Sequence, residues 1–463
     1  MDAQWMLNGC SMDARYNLTS ISYQCHRQLK WEKCIGKCKI ICIYAFFVVS
    51  LQQIHNSSDM KREFILINII GFDKPGVTSA VTEVLGKYGA VVQDIGQSNL
   101  HHQLNLSILI RIDDPTQSGD MIKEVLFCCS RLEMIVRFTP LSEEEYAAWV
   151  GRQAQERYVV TLLAREINAR HIARVTALLA GRQLNIDNIL RLSERPSVEQ
   201  PIEKRHSCIE FSLRGNLPDR EALQKELMEV SHEEGIDISF QRDDMFRRNR
   251  RLICVDMDST FIQTEVIDEL AMRAGVGDEV KAITLSAMRG EIDFKESFTR
   301  RVALLKGLDV SAKQDIIDHL PITEGADRLF SVLKKCGFKI AILSGGFTFV
   351  GKYLQQRFGV DYVYANELEE QDGKFTGRYL GDVVDAKRKA ELLELIAQVE
   401  HIDLAQVIAV GDGANDLNML GKAGLGIAFH AKPKVQASAQ QAISTVGLDG
   451  ILYFLGFRDA FLK

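Results

Sequence analysis

The sequence has little proline and no excess of positive charge. It contains 8 prolines in 463 residues, with 46% hydrophobic and 25% charged residues, which is the composition of a soluble globular protein. The formal net charge of -6 provides no basic field for nucleic acid or for an anionic membrane surface, so we expect neither as a partner. A phosphorylated metabolite would need a local positive site.

Cysteine is scarce outside the first sixty residues, which hold five of the ten. The other five lie in or beside apolar runs, and none belongs to the CxxC or histidine-rich spacing that is typical of zinc sites. We therefore expect buried thiols in a reducing cytoplasm rather than a disulfide scaffold. These residues are Cys128, Cys129, Cys208, Cys254 and Cys336.

The amino-terminal segment lacks a hydrophobic run long enough to span a membrane. Its apolar stretch, residues 40–51, is about a dozen residues long, whereas a spanning helix needs about 20. The stretch also lies too far from Met1 for an ordinary secretory signal. Met60 opens a strand flanked by lysine and arginine, so we expect residues 1–59 to be an upstream extension. A membrane-anchoring or targeting role is the alternative.

The chain is long enough for about three domains, and the first two are repeats of one pattern. In residues 60–140, strand and helix signals follow in the order βαββαβ, beginning with the apolar run EFILINII. The pattern recurs in residues 157–243, where VTALLAGRQLNIDNI aligns with VTEVLGKYGAVVQDI 94 residues earlier. Internal repetition of this kind indicates a duplicated module.

Both repeats resemble the ACT domain, a ferredoxin-like fold that commonly binds an amino acid at the turn between its first strand and first helix. The first repeat has Asp73, Pro75 and Gly76 in that turn, whereas the second has Ile167 and Arg170 opposite Asp73 and Gly76. The resemblance implies an amino-acid effector such as L-serine at the first repeat. The alternative is that both repeats serve dimerisation or packing, and we expect a homodimer.

Four arginines lie in FRRNRR, residues 246–251, between the second repeat and the next strand. Such a stretch could form a phosphate patch, but we interpret it as a solvated interdomain linker. From residue 250 onward, buried strands alternate with helical stretches, as in a parallel α/β sheet. The predicted fold class is therefore α/β, with a Rossmann-like domain over residues 250–463 after two ferredoxin-like domains.

The first strand of this last domain, Leu252–Val255, runs directly into DMDST, which places Asp256 and Asp258 two residues apart. Sites in parallel sheets lie at the carboxyl ends of strands, so both aspartates can reach one pocket. One carboxylate can attack phosphorus while the other serves as general acid and then as general base. A cation such as Mg2+ and a lysine could neutralise the repulsion between that carboxylate and a phosphate dianion.

Further polar motifs follow later strands of the same domain. Ser344-Gly345-Gly346 comes after the apolar run FKIAIL, where a hydroxyl and backbone N–H groups can hold phosphoryl oxygens. Lys389 opens the helical stretch KAELLELIAQV, and GDGAND follows the strand at residues 407–410. Each motif alone is a weak signal, but their order and their positions after strands argue against coincidence.

Together these motifs resemble the haloacid dehalogenase (HAD) superfamily and, within it, the phosphatases that act on phosphoserine, over residues 251–463. The resemblance rests on DMDSTFIQTEVIDELA, MRGEIDFKESFTRRVALLKGL, ILSGGF, GDVVDAKRKAELL and VGDGANDLNML. It implies that Asp256 is the nucleophile and Asp258 the acid and base, with Mg2+ held by the Asp256 carboxylate, the Asp258 backbone carbonyl and Asp412. It also implies that Asp416 orients Lys389 or a water on Mg2+. The residues expected to hold the phosphoryl group are Ser344, Gly345, Lys389 and Asn415.

Residues 262–325 are expected to form a helical cap that closes over the pocket and excludes water. Phosphoserine carries a carboxylate and an ammonium besides its phosphate, so a selective pocket needs one fixed cation and one fixed anion. By resemblance, Arg301 and Glu265 take these parts. Met288 and Phe294 would pack over the substrate when the cap is closed.

Glu265 and Arg301 could instead have structural roles near their own positions in the chain. Glu265 could cap the next helix, and Arg301 could pair with Glu296 or Asp293 on a solvated face. Under the resemblance, the activity is Mg2+-dependent hydrolysis of O-phospho-L-serine to L-serine and phosphate, the last step of serine biosynthesis. The alternatives are another phosphorylated amino compound, a phosphotransfer, or an amino-acid sensor in which the phosphatase fold is vestigial.

Two positions depart from the family pattern. Phe261 stands where an aliphatic residue is usual, and it could tighten the pocket floor. Lys387 stands where glutamine is common, two places before Lys389. The match of KAELL to the family favours Lys389 as the phosphate-binding lysine.

Overall fold

A computed structural model describes residues 62–197 and 199–462 of the chain. This part separates into two compact units, the first ending at Ala154 and the second beginning at Gln155. The expected amino-terminal extension, residues 1–59, lies outside the described residues. Within the described ranges, no helix combines the length and the apolar character that a membrane crossing requires.

The first unit is built on a four-stranded antiparallel sheet in the order β2-β3-β1-β4. Its strands are β1 (Glu63–Phe72), β2 (Val91–Leu100), β3 (Gln103–Ile112) and β4 (Ile135–Leu141). Alternate residues of β1, Ile65, Ile67 and Ile69, are buried in one core with the helices α1 (Val77–Lys87) and α2 (Ser118–Arg131), because strand side chains alternate between two faces. The predicted ferredoxin-like pattern is confirmed.

A third helix, α3 (Glu143–Arg152), completes the first unit, although the sequence pattern did not predict it. The Ser142 hydroxyl accepts from the Glu145 N–H at 3.1 Å, and the Glu145 carboxylate accepts from the Ser142 N–H at 2.8 Å. Tyr146 stacks on Phe64 of β1 with ring centroids 4.2 Å apart. The capping box and the aromatic contact together fix this helix to the sheet.

The second unit begins with a sheet of the same topology, in the order β6-β7-β5-β8. Its elements are β5 (Arg157–Ala164), α4 (Ala169–Gly181), β6 (Asn185–Arg191), β7 (Ser207–Arg214), α5 (Arg220–Glu234) and β8 (Asp237–Arg242). The predicted βαββαβ pattern includes a last strand, but the sequence did not locate β8. Its sequence, DISFQR, mixes polar and apolar residues, yet every residue except Arg242 is buried.

The rest of the second unit contains a seven-stranded sheet in the order β12-β11-β10-β9-β13-β14-β15. The strands are β9 (Leu252–Val255), β10 (Lys339–Phe347), β11 (Tyr362–Gln371), β12 (Lys374–Leu380), β13 (Val407–Gly411), β14 (Leu425–Phe429) and β15 (Gln441–Ile443). Only the β11–β12 pairing is antiparallel. Every residue of the central strand β9 is fully buried, as expected where helices cover both faces of a parallel sheet. The predicted Rossmann-like fold is confirmed.

Helices inserted after β9 form a cap on this sheet. The cap helices are α6 (Val266–Ala274), α7 (Gly277–Met288), α8 (Phe294–Ala303) and α9 (Ala312–Asp318). The other helices of the domain are α10 (Ala326–Lys335), α11 (Thr348–Phe358), α12 (Ala386–Val399), α13 (Leu417–Lys422), α14 (Pro433–Gln436) and α15 (Gly450–Phe454). Since α12 begins at Ala386, Lys389 lies in its first turn rather than at its start.

The hairpin of β11 and β12 was not predicted, and it packs against the cap. The Gly307 N–H donates to the Phe375 carbonyl at 2.8 Å, and the Phe375 N–H donates to the Leu308 carbonyl at 2.9 Å. Phe298 of α8 contacts Tyr379 of β12 edge to face, with ring centroids 5.3 Å apart. The cap is therefore supported by the hairpin as well as by its own helices.

The edge strand β8 of the second repeat lies beside β15, the edge strand of the large sheet. The Asp237 carboxylate accepts from the N–H groups of Ser444 at 2.7 Å and Thr445 at 3.0 Å, and from the Thr445 hydroxyl at 2.6 Å. The Gln441 side chain accepts from the Phe240 N–H at 3.0 Å and donates to the Phe240 carbonyl at 2.8 Å, as a neighbouring strand would. The polar residues of β8 are buried because of this contact. We call it the docking interface, formed by Asp237, Phe240, Gln441, Ser444 and Thr445.

The interpretation of residues 246–251 as a solvated linker is wrong for Arg247 and Arg250. Arg247 is 1% exposed and pairs with Glu210 at 2.5 Å. Arg250 donates to the Ala405 carbonyl, and burial lowers its pKa to about 10. The local sequence could not show this, because both partners are distant along the chain.

Four of the five described cysteines are buried, as expected: Cys128, Cys129, Cys208 and Cys254. Burial raises the pKa of the Cys129 thiol to about 11, which keeps it protonated and unreactive. Cys336 is exposed, so the expectation of a buried thiol is wrong there. This residue occupies the carboxyl-terminal cap of α10, where the chain turns away from the helix. The cytoplasmic location stays a prediction.

Candidate active site

Asp256 lies at the carboxyl end of β9, in the centre of the large sheet. Its N–H donates to the Val410 carbonyl of β13 at 2.9 Å, which fixes the backbone at this point. Asp256 is 5% exposed. Its Oδ1 accepts from the Met257 N–H at 2.7 Å, and its Oδ2 lies 2.8 Å from Lys389 Nζ. A nearly buried carboxylate is thus held between a backbone donor and an ammonium.

Asp258 lies in the irregular turn that follows, and its carboxyl group is poorly supplied with donors. Its Oδ1 is buried and has no hydrogen-bond partner among the described residues. Burial, reinforced by the charges of Glu265 and Asp256, raises the pKa of Asp258 well above its usual value. Gly346 provides the room, since an added Cβ there would lie 2.5 Å from Asp258 Oδ2. A carboxyl group that stays protonated can act as an acid.

The segment Ser344-Gly345-Gly346 ends β10 beside Asp258. Ser344 is buried, and its hydroxyl accepts from the Gly346 N–H at 2.9 Å. Sequence reasoning missed Asn366, whose amide donates to the Gly345 carbonyl at 2.8 Å and accepts from the Val384 N–H at 2.9 Å. Asn366 thereby ties this loop to the chain that leads into α12. A buried asparagine at the end of the apolar run YVYA was the available signal.

Lys389 joins two of the aspartates. It is fully buried, and its Nζ lies 2.8 Å from Asp256 Oδ2 and 2.7 Å from Asp416 Oδ1. Burial alone would lower the pKa of Lys389, but the charges of Asp256 and Asp416 hold it above its usual value. Lys387 has a side chain 84% exposed and pairs with Glu391 at 3.7 Å. Lys389 is therefore the lysine that faces the carboxylates.

The GDGAND segment follows β13 and adds two more carboxylates to the cleft. Asp412 Oδ1 accepts from the Thr260 hydroxyl at 3.1 Å. Burial and the charge of Asp256 raise the pKa of Asp412 to about 6. Asp416 Oδ2 accepts from the Gly413 N–H at 3.0 Å, and burial and Asp256 raise its pKa to about 7. Burial is the larger cause of both shifts, and the negative charge of Asp256 adds to it.

Glycines in this segment give its side chains room. An added Cβ at Gly411 would lie 2.3 Å from Asp416 Cγ, and one at Gly413 would lie 2.1 Å from Asn415 Oδ1. Asn415 is half-buried in the short helical turn Ala414–Asp416. The structure therefore places Asn415 on the same loop as the two carboxylates.

Asp256, Asp412 and Asp416 form a cluster in which one oxygen of each lies within 4.8 Å of the others. Two of these carboxylates, those of Asp256 and Asp416, contact the Lys389 ammonium. Mg2+ prefers oxygen ligands, and a divalent cation would offset the repulsion that adds to burial in raising the pKa values of Asp412 and Asp416. The residues therefore fit such an ion. Asp416 was not predicted as part of this cluster, but both of its oxygens already accept hydrogen bonds.

Glu265 lies beside the turn that carries Asp258. Its Oε1 accepts from the Ser259 hydroxyl at 2.7 Å. It precedes α6 without a side-chain capping hydrogen bond, so the capping alternative is wrong. Arg301 lies on α8, where burial lowers its pKa and the charge of Glu265 raises it. The two residues that the resemblance assigns to the substrate therefore lie near each other.

The local partners considered for Arg301 are engaged elsewhere. Glu296 accepts from Arg300 at 2.5 Å. Asp293 caps α8 by accepting from the Glu296 N–H at 2.7 Å. Among the described residues, no ion pair joins Arg301 to either acid, so its guanidinium remains available to the cleft.

The aromatic and methionine residues assigned to the pocket have different surroundings. Phe294 lies against the Ser344-Gly345-Gly346 segment, since an added Cβ at Gly345 would lie 3.0 Å from Phe294 Cζ. Met288 is 60% exposed, and its packing over a substrate stays a prediction. Phe261 is fully buried and stacks on Phe330 with centroids 4.4 Å apart. Its ring belongs to the core rather than to the pocket floor.

Known families match three segments of the chain. Haloacid dehalogenase-like hydrolases match residues 253–421, and ACT domains match residues 63–139 and 157–241. The two ACT segments coincide with the two ferredoxin-like sheets, and the hydrolase segment carries the aspartate cluster.

Similar proteins extend the match along most of the chain. A phosphoserine phosphatase of Streptomyces coelicolor is 37% identical over 392 residues, which are 85% of this chain and 92% of that protein. A phosphoserine phosphatase of Mycobacterium tuberculosis is 36% identical over 398 residues, 85% of this chain and 93% of that protein. The unliganded crystal structure of a probable phosphoserine phosphatase from Vibrio cholerae matches with a TM-score of 0.52 and 33% identity, over 66% of this chain and 87% of that chain. The chain therefore belongs to the phosphoserine phosphatase family of HAD-type enzymes, with two ACT domains ahead of the catalytic domain.

Proposed function

We propose that this enzyme hydrolyses O-phospho-L-serine to L-serine and phosphate through a phosphorylated Asp256, which would be the last step of serine biosynthesis. The observation that carries the proposal is the buried Lys389 ammonium between Asp256 and Asp416, where β9 and β13 end. It supports the proposal because it sets a cation beside the carboxylate that would act as the nucleophile. The relatives named phosphoserine phosphatase supply the substrate class.

In the first step, an Asp256 carboxylate oxygen attacks phosphorus, and the bond between phosphorus and the serine oxygen breaks. Asp258 donates its proton to the departing serine oxygen, and its raised pKa keeps that proton in place until then. Three groups stabilise the negative charge on the phosphoryl oxygens: the Lys389 ammonium, the N–H and hydroxyl groups of Ser344, and the N–H groups of Asn415.

In the second step, water attacks the phosphorus of phosphorylated Asp256, and the bond from phosphorus to the Asp256 oxygen breaks. Asp258, now a carboxylate, accepts a proton from the water. Phosphate leaves, and both aspartates return to their starting states. Asp416 holds Lys389 in place through both steps. Two displacements replace one hydrolysis that would be more difficult.

A divalent cation completes the proposal. Mg2+, held by the Asp256 and Asp412 carboxylates and the Asp258 backbone carbonyl, would supply the positive charge that lets a carboxylate approach a phosphate dianion. The Thr260 hydroxyl orients Asp412 toward this task.

The cap residues account for the amino-acid part of the substrate. Arg301 would bind the serine carboxylate and Glu265 the serine ammonium, because each supplies the complementary charge. Phe294 and Met288 would cover the substrate in the closed cap and exclude water. Ser259 keeps the Glu265 carboxylate in place before the substrate arrives.

Two substrates test the assignment, with phosphate release measured in the presence and absence of Mg2+. O-Phosphoethanolamine lacks the carboxylate of phosphoserine. Arg301→Met should therefore lower kcat/KM roughly 10- to 100-fold on phosphoserine and leave the slower reaction with phosphoethanolamine nearly unchanged. Glu265→Gln should impair both reactions. Arg300→Met is the matched control, since Arg300 pairs with Glu296 on the surface. Equal losses on both substrates for Arg301→Met would contradict the assignment.

We further propose that L-serine binds the first ACT domain at the turn after β1 and gives feedback. In this turn Gly76 has φ 96°, a left-handed backbone conformation that glycine adopts without strain. An added Cβ at Gly76 would meet no atom within 4 Å, so there is open space beside the turn. The Asp73 carboxylate accepts from the Asn99 amide at 2.7 Å. Calorimetric titration of L-serine into the full chain should show binding that Asp73→Ala weakens. A wild-type trace without heat of binding would leave the domain a packing module. Light scattering tests the expected homodimer.

A further inference from the structure

The two connections between the catalytic domain and its cap are paired with each other. Ile262 and Ile322 form an antiparallel bridge, and the Thr323 N–H donates to the Phe261 carbonyl at 3.1 Å. Any movement of the cap must bend these connections, because they are its covalent links to the domain. We call them the cap hinge, residues 261–263 and 321–323.

Arg165 of the second ACT domain contacts the residue that follows this hinge. Its guanidinium donates to both carboxylate oxygens of Glu324, at 2.9 and 2.6 Å. Its Nε donates to the Thr445 carbonyl at 3.0 Å. Arg165 directly follows β5, so it lies in the turn between the first strand and the first helix of its domain. This turn therefore docks on the catalytic domain.

Glu324 is itself fixed to the loop that Arg165 contacts. Its carbonyl accepts from the Leu448 N–H at 2.8 Å. The next residue, Gly325, has φ 80°, and an added Cβ would lie 2.2 Å from Asp449 Oδ1. Asp237 of the docking interface holds the same loop from the ACT side. Glu324, which directly follows the cap hinge, is therefore held by Arg165 of the ACT domain and by Leu448 of the catalytic domain.

The contact is specific to the second repeat. The offset of 94 residues between the repeats places Gly71 opposite Arg165. Gly71 carries no side chain, and an added Cβ there would lie 2.5 Å from Met134 Sδ. The first strand–helix turn of the first domain therefore cannot make the corresponding ion pair.

We propose that Arg165 is a positioning residue for catalysis, through which the first turn of the second ACT domain fixes the cap hinge. This turn serves intramolecular docking. The kinetic consequence rests on the proposed phosphoserine phosphatase activity, whereas the effect on the hinge does not.

Hydrogen–deuterium exchange on the full chain tests the hinge directly. Arg165→Met removes the charge and the hydrogen bonds but keeps most of the aliphatic volume. The peptide that contains Thr323 should exchange roughly three- to tenfold faster, and kcat/KM on phosphoserine should fall by a similar factor. Exchange in β9 should not change. Arg174→Met is the matched control, because it removes another ion pair of the same domain, with Glu233 at 2.6 Å.

Charge reversal supplies the decisive comparison. Arg165→Glu and Glu324→Arg should each loosen the hinge, and the double variant should recover part of the protection and part of kcat/KM. Additive losses in the double variant overturn the proposal. Wild-type hinge exchange in Arg165→Met also overturns it, as does a uniform increase that includes β9. If the wild type released no phosphate from phosphoserine, the proposed function would fail while hinge exchange still tested Arg165.

Discussion

Aspartates are buried in two places of the second unit, and their surroundings differ. In the docking interface, Asp237 accepts three hydrogen bonds from Ser444 and Thr445. In the catalytic cleft, Asp258 has an oxygen without a donor, and Asp256 shares the Lys389 ammonium with Asp416. In the docking interface, hydrogen-bond donors satisfy the Asp237 carboxylate. In the catalytic cleft, several carboxylates lie close together and have few hydrogen-bond donors.

The pKa alone does not separate the two places. Burial raises the pKa of Asp237 to about 6, and burial with the charge of Asp256 raises that of Asp412 to the same value. The number of hydrogen-bond donors around each carboxylate does distinguish the docking interface from the cleft. A buried carboxylate with its oxygens satisfied stabilises the contact that it makes. A buried group without partners costs free energy and persists where another function requires it. The comparison predicts that mutations will affect activity at one place and stability at the other.

Asp256→Asn should show the largest effect. The amide is a poor nucleophile, so kcat on phosphoserine should fall by at least about 1000-fold. Without Mg2+, the melting temperature should stay equal or rise, because one of the repelling charges is gone. Phosphate release and thermal unfolding are measured on the same preparation. A variant that kept its activity, or that lost activity only by unfolding, would contradict the nucleophile assignment.

Asp237→Ala should show the opposite pattern. It leaves two backbone N–H groups and a hydroxyl without an acceptor, which should lower the free energy of unfolding by about 3 kcal/mol. Well below the melting temperature, kcat should fall less than about tenfold, because the Asp237 carboxylate hydrogen-bonds to Ser444 and Thr445, which lie outside the cleft. Urea unfolding gives the first quantity and phosphate release the second. Asp219→Ala is the control: it removes the exposed cap of α5, and about 1 kcal/mol should be lost. A fall in kcat of more than about tenfold, with little change in the free energy of unfolding, would show that Asp237 acts on the cleft.

The candidate residues Asp256, Asp258 and Asp412 could be predicted as one group because each lies within a few positions of a strand end. Asp256 and Asp412 directly follow β9 and β13, and Ser344 lies in the carboxyl-terminal half of β10. Parallel strands end at one edge of a sheet, so these side chains meet there. Asn366 was missed because its role depends on two partners, Gly345 and Val384, that lie about 20 residues away along the chain. Local pattern thus locates the candidate reacting groups but not the residues that hold their loops.

The docking interface could not be predicted from local pattern at all. Asp237 and Ser444 are 207 residues apart, and β8 has too many polar residues to resemble a buried strand. Arg247 belongs to a basic run that is typical of solvent exposure, yet Glu210 pairs with it inside the protein. In each case burial is decided by a distant partner, so sequence rules based on hydrophobic periodicity are wrong there.

The pH dependence of stability gives a smaller test of Asp237. Burial raises its pKa from the usual 3.8 to about 6, so the native state binds this proton more tightly than the unfolded state. The resulting stability is complete below about pH 4 and is lost as the pH rises through 6, by at most about 3 kcal/mol. Asp237→Asn should remove this part of the slope in urea unfolding. Subtracting the two proteins at each pH cancels the other aspartates. Parallel curves would show that Asp237 titrates normally.

Lys387→Ala should have the smallest effect, although Lys387 is two residues from Lys389. Two residues of an α-helix differ by about 200° around its axis, so the two side chains lie on opposite faces. Lys387 is 84% exposed and its ion pair with Glu391 is a surface pair, so the free energy of unfolding should change by less than about 0.5 kcal/mol and kcat/KM should not change. Lys389→Met, measured beside it by phosphate release, should abolish turnover. A loss above about tenfold in Lys387→Ala would mean that a solvated charge acts on the cleft, and burial would then no longer separate functional from structural charges.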